Sequence, residues 1–284
     1  MGVLLGLGII FVSVGISMGA KTSIYWDAAG IHPESGDEEH QIQISELNLE
    51  PFRNISVGMV SHDIEIIISD GYGFEMVNNN NTEVAWSLQN STLAISEKSF
   101  RKRFSLGFNF SRNAFKNRSY LKIYVPANAV LGNISVSNVS GGTEIGNIAA
   151  NTLKMNSISG RLDMSNCSAQ NVNINIVSGK VSISGLKSGG LYLKSISGGV
   201  DIGGELLGRS EISSVSGSVL LQISGGTGQY DKQFNLVSGR LRINGQNFSK
   251  NYSETHGAAN NLKVNTVSGG VTVDFIQQPG SYDI

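Results

Sequence analysis

From Val136 onward, apolar and polar residues alternate in short runs, and the same tripeptide, Val or Ile followed by Ser-Gly, interrupts them. It centres on Ser140, Ser159, Ser178, Ser197, Ser216, Ser238 and Ser268, at intervals of 19, 19, 19, 19, 22 and 30 residues. Counted from each serine, the positions four before, one before, three after and five after are apolar in 27 of 28 cases, Thr143 being the exception. A period of two on each side predicts half-buried strands, and the slip of phase between them predicts a corner.

A unit of this size cannot bury its single apolar stripe alone, whereas stacked copies place like residue on like residue and close one core. The pattern therefore predicts an all-β chain built as a parallel β-solenoid (β-helix) of about 19-residue coils. The expected stripe runs through Val136, Met155, Ile174, Leu193 and Ile212 before the corner and Leu162, Val181, Val200, Val219 and Leu241 after it. Ile158, Val177, Ile196, Val215 and Val237 are expected to lie between them in the core. No proline occurs between Ala127 and Gln278, as strands that must donate to both neighbours require. An antiparallel sandwich is the rival, although its strands need not recur in a 19-residue register.

Before the repeat, residues 42–130 contain strand patterns without the tripeptide, such as Ile64-Glu65-Ile66-Ile67-Ile68 and Tyr120 to Val125, and are expected to cover the first coil. The organisation expected is a transmembrane helix or signal anchor at 1–20, a polar linker at 21–41, an N-terminal β capping region at 42–130 and solenoid repeats at 131–284. Gly2 to Ala20 carries no charged side chain and is long enough to cross a bilayer, although Ser17-Met18-Gly19 would also suit cleavage of a signal peptide.

Gly, Ser and Asn supply 35, 39 and 27 of the 284 residues, and Cys occurs once, which excludes a disulfide framework or a multi-cysteine metal site. With 21 Lys and Arg against 22 Asp and Glu, any binding to a polyanion must come from a local patch. Seven Ser-Gly pairs read as corners, because a nucleophile is needed once and a corner in every coil. The Asn-rich runs, such as Asn171-Val172-Asn173-Ile174-Asn175, are expected to stack amide on amide.

The serial Ser-Gly spacing, the segment Asn90-Ser91-Thr92-Leu93-Ala94-Ile95-Ser96-Glu97 and Tyr120 to Pro126 together resemble the bacterial putative-adhesin family of β-strand-repeat proteins, a domain of unknown function. The resemblance covers residues from about 42 to 284. It implies an extracytoplasmic, envelope-associated repeat domain without known catalytic residues. The stretch at 98–122 and the 30-residue last interval depart from the family.

Two segments stand out as candidate sites. Residues 98–122 hold eight of the 21 basic groups and no acid, with Arg101, Lys102, Arg103, Arg112, Lys116 and Arg118 interleaved with phenylalanines. Cationic heads on apolar bodies suit an anionic lipid surface or a cell-wall polymer, or else the phenylalanines cap the first coil. The insertion between the last two repeats carries Phe248, Tyr252 and His256, as a partner-binding loop or a tolerated one. The acids Asp163, Asp201 and Glu211 are scattered rather than aligned from coil to coil, which argues against polysaccharide cleavage. No catalytic, metal or cofactor site is expected.

The function expected is a non-enzymatic, membrane-tethered binding, adhesion or scaffold module at the cell envelope. Its partners would be membrane, anionic polymer or another envelope protein, with no nucleic acid expected. It would sit at the cell membrane on one amino-terminal anchor with the repeat domain outside the cytoplasm. The alternative is a regulatory or sensor component of an envelope-stress signalling system.

Overall fold

The computed structural model describes residues 24–27, 30–33, 42–79, 82–98 and 119–277. The expected membrane segment and the basic residues from Arg101 to Arg118 lie outside the described residues. The described chain is all-β, with one short 3-10 turn, Thr227–Gln229. A small antiparallel ribbon, Ile24–Asp27 against Gly30–Pro33, forms one sheet, and the strands from Ile42 to Ile276 form the other.

In that larger sheet the repeats pair parallel and in register, which overturns the antiparallel sandwich. Val136 faces Met155, Met155 faces Ile174, Ile174 faces Leu193 and Leu193 faces Ile212. All five are buried, as are Leu162, Val181, Val200, Val219 and Leu241. Both halves of the expected stripe therefore form the core. The core also contains Thr143, the one polar exception to the pattern.

The coils do not stack in chain order. Ser216 pairs with Ser268, and Ser268 pairs with Ser238, so the final coil fills a slot between two earlier ones. Val271 accordingly stands between Val219 and Leu241, which the repeat order alone would have made neighbours. The other end is similar. Asn54–Met59 lies between Thr92–Lys98 on one side and Leu131–Ser140 on the other, all parallel.

Val60-Ser61-His62 is thus a further corner, stacked directly under Val139-Ser140-Gly141, with the Ser140 N–H donating to the Val60 carbonyl at 2.7 Å. Counted from Ser61, Val57, Val60, Ile64 and Ile66 satisfy all four apolar positions. Searching for the four-position pattern, without requiring glycine, would have found this coil.

Antiparallel strands cover both ends of the stack. Gly73–Asn78 pairs with Tyr120–Pro126 and Glu83–Gln89 with Thr92–Lys98. At the far end Gln246–Phe248 pairs with Leu241–Ile243, and Asn251–Glu254 with Tyr230–Ser238. Each outermost coil thereby has its backbone groups paired rather than left open to another chain.

Glycine at the corner follows from coil spacing. A Cβ on Gly179 would fall 1.7 Å from the Gly160 carbonyl oxygen, and one on Gly198 1.8 Å from that of Gly179. No side chain fits between corner backbones so closely stacked.

Candidate binding edge

The residue before each corner serine is exposed, not buried. Ile158, Val177, Ile196, Val215 and Val237 are 53%, 44%, 51%, 48% and 73% exposed, which corrects their expected place in the core. Alternation continues unbroken to this position, so the side chain four before the serine points in, two before points in, and one before points out. The phase slips only at the serine itself.

Two positions before the serine, the inward side chains include Asn138, Ser195, Ser214 and Thr266, all buried. Polar residues sit inside and aliphatic residues outside at adjacent positions, so the hydrophobic pattern pointed the wrong way there. Departures of this kind concentrate where a sequence serves something other than folding.

With Val60, Val139 and Val267, also exposed, the file contains eight branched aliphatic side chains in the stacking order Val60, Val139, Ile158, Val177, Ile196, Val215, Val267, Val237. Seven steps of about 4.8 Å give it a length of about 34 Å. Beside its first five members runs a groove of about 680 Å³.

The groove's other wall is an amide ladder. Asn175 donates from Nδ2 to Asn156 Oδ1 at 3.1 Å, and Asn156 donates to Ser137 Oγ at 3.3 Å. Further along, Asn235 donates to Asn265 Oδ1 at 2.9 Å. The stacking of amides expected from the Asn-rich runs is present in these bonds. Lys194 stands in the same file, exposed, with its ammonium over the Tyr192 ring at 5.1 Å. A hydrogen bond to Tyr192 favours its charged form and raises its pKa.

A buried pair closes one end of the groove. His62 Nδ1 lies 3.0 Å from Glu97 Oε1, and both side chains are almost wholly buried. Glu97 accepts from the Val60 N–H at 2.7 Å and from Thr82 Oγ1 at 3.2 Å. Burial lowers the His62 pKa, against the opposing charges of Glu97 and Asp63, and the ring is held toward its neutral form. His62 stands where the Ser-Gly coils have glycine.

The other candidate residues meet at the far cap. Tyr252 Oη donates to Glu254 Oε2 at 2.5 Å, and His256 Nε2 is 2.5 Å from Glu254 Oε1. Lys232, with a buried side chain, reaches Glu254 Oε2 at 2.9 Å and donates to the Thr227 carbonyl at 2.9 Å. These partners hold the Glu254 carboxyl down at about 2, Tyr252 contributing most, and the carboxylate in turn pushes Tyr252 up to about 12. Phe248 packs edge-on against Tyr252 at 4.7 Å, and both pack against the core. The structure brings Phe248, Tyr252 and His256 together as parts of the end cover, with His256 about half exposed.

Carboxylates do align on one face, contrary to the scatter expected. Glu65, Glu144 and Asp163 occupy the same place in three successive coils. Lys122 approaches Glu65 at 3.7 Å, and Arg161 pairs with Asp163. Glu144, Asp163 and Asp201 all lie four residues past a corner serine, so that part of the alignment was legible in the repeat, and only Glu65, four past Ser61, falls in the coil that lacks Ser-Gly. Among the described residues no group of His, Cys, Asp and Glu could hold a metal ion. Cys167 is buried, and burial pushes its thiol pKa up.

The family model described as Toastrack DUF4097 matches residues 52–283. This chain belongs to the Toastrack family. Solved structures that the chain is similar to include a putative adhesin from Bacteroides fragilis NCTC 9343, 17% identical, with 84% of this chain and 98% of that chain covered and a TM-score of 0.48. A putative cell adhesion protein from Clostridium sporogenes ATCC 15579 is 14% identical over 84% and 100%, TM-score 0.37. A putative adhesin from Parabacteroides merdae ATCC 43184 is 11% identical over 83% and 95%, TM-score 0.41. No curated protein matches the chain.

Proposed function

We propose that this Toastrack chain is a non-enzymatic binding module of the cell envelope, tethered through its apolar amino-terminal segment and making contact through the Val/Ile-Ser-Gly edge. One observation carries the reading. Eight successive coils each place a branched aliphatic side chain in solvent while several place serine, threonine or asparagine in the core one turn of the zigzag earlier. Single exposed valines are ordinary on a protein surface, but a continuous file of eight forms a patch of the kind that marks interaction sites. Folding alone would favour the reverse order, since a buried hydroxyl without a partner is unfavourable and a buried methyl is favourable.

The test uses the full chain and cell envelopes isolated from the producing organism. Wild-type protein should bind them saturably. The triple variant Ile158→Asn, Val177→Asn, Ile196→Asn should keep its melting temperature, because all three positions are half exposed, and lose at least tenfold in binding. Equal binding by the triple variant would refute the edge as the contact surface.

A further inference from the structure

We infer that the Val/Ile-Ser-Gly edge is a lipid-contact surface that lies lengthwise on an anionic bilayer, an inference that rests on the binding role proposed above and names its partner. The charges flanking the aliphatic file favour this occupant. Two residues past the corner serine stand Arg161, Lys180 and Arg240 in three coils, and three residues before it stands Lys194 in a fourth, all exposed. At these two positions the remaining residues of the seven Ser-Gly coils are Gly, Ser and Asn, and in the eighth coil of the file they are Gly58 and Asp63, whose Oδ1 accepts from the Gly142 N–H at 2.7 Å, so cations outnumber acids four to one beside the file. The carboxylates Glu144 and Asp163 stand two residues further on, past the turn, where Asp163 pairs with Arg161, so the charge beside the file rests mainly on Lys180, Lys194 and Arg240.

An aliphatic file bordered by cations matches the headgroup boundary of a membrane. Branched side chains enter the top of the acyl region, and long basic side chains keep their heads among the phosphates. An edge about 34 Å long suits an extended partner such as a bilayer face. A peptide strand fits less well, because strand addition needs unpaired backbone groups and each coil along the file already pairs with neighbours on both sides. The wall amides of Asn156 and Asn175 are also bonded within the ladder. A second copy of the edge would set like charges against each other.

The experiment reads the edge itself, so that insertion by any other part of the full chain does not count. Single cysteines are placed at Val177 (Val177→Cys) and at the exposed Ser184 (Ser184→Cys), each labelled with an environment-sensitive fluorophore while Cys167 stays buried. The labelled chains are mixed with vesicles of phosphatidylcholine alone or with phosphatidylglycerol added, both containing spin-labelled lipid as quencher.

The probe at 177 should be quenched in the anionic vesicles and the probe at 184 should not. Lys180→Gln, Lys194→Gln and Arg240→Gln together should lower the ratio of membrane-bound to free edge about a hundredfold at low salt, from roughly fivefold per cation. An unquenched probe at 177, or equal quenching in neutral vesicles and in the triple-Gln variant, overturns the lipid assignment. If envelope binding still depends on Ile158, Val177 and Ile196 in that event, the binding role stands with a protein or polymer partner; if that dependence is absent as well, both readings fall.

Discussion

Replacing Gly198 by alanine tests the stacking directly, because the neighbouring Gly199 provides a control of identical composition. Gly198 has φ +122°, and a Cβ there would lie 1.8 Å from the Gly179 carbonyl oxygen and 2.7 Å from its carbon. Around Gly199 nothing lies within 4 Å of the added atom. Relieving the contact at 198 requires the two coils to separate by about an ångström or more, at a corner whose ladder bond from the Gly179 N–H to the Ser197 carbonyl is 3.1 Å. A non-glycine residue in this backbone region costs about 1–3 kcal/mol, and overpacking a filled site costs about 1–3 kcal/mol more. The sum is about 4 kcal/mol.

For a domain of this size each kcal/mol moves the melting temperature by about 2–4 °C, so Gly198→Ala should melt about 12 °C below the parent. Gly199→Ala should match the parent or exceed it slightly, since alanine restricts the unfolded chain. Thermal unfolding followed by circular dichroism reads both. Equal shifts for the two variants, or a Gly198→Ala protein within about 2 °C of the parent, would show that the corners are not stacked as described.

The edge gives a second contrast: Leu193→Asp, at a fully buried position, should abolish cooperative folding, while Ile196→Asp, at a position 51% exposed, should melt within a few degrees of the parent, about 3 °C, in the same assay. At the cap, Glu254 has its carboxyl depressed to about 2 from an ordinary 4.5, so its stabilisation is complete above about pH 4.5 and lost as pH falls toward 2. Acid melts should therefore show wild type losing more melting temperature than Glu254→Gln between those limits, and parallel curves would count against the contacts of Tyr252, Lys232 and His256 with Glu254. Cys167 should react with iodoacetamide only as fast as the domain opens, so labelling at native conditions comparable to that in denaturant would contradict its burial.

Much of the architecture can be read from spacing because one physical rule repeats. Parallel stacking in register puts identical environments 19 residues apart, so the stripe from Val136 to Ile212 and its partner after the corner were visible as recurring apolar positions. The same logic fails where a coil satisfies the environment with different residues. Ser61 is followed not by glycine but by His62, whose ring meets Glu97, and the coil's carboxylate Glu65 therefore went unaligned with Glu144 and Asp163.

Three features belong to the tertiary structure alone. A chain can reach a given slot in the stack from either direction, and local pattern does not record which, so the placement of the Ser268 coil between Ser216 and Ser238 appears only in the pairing. The insertion around Phe248 and Tyr252 is a cover because the outermost coil has an edge to be paired, a need created by the end of the stack and not by the residues themselves. The outward face of Ile158, Val177 and Ile196 was also undetermined in one dimension. An apolar residue next to a phase slip can fall on either side of it, and only the backbone at the Ser-Gly corner decides that the slip comes one residue later and leaves the file in solvent.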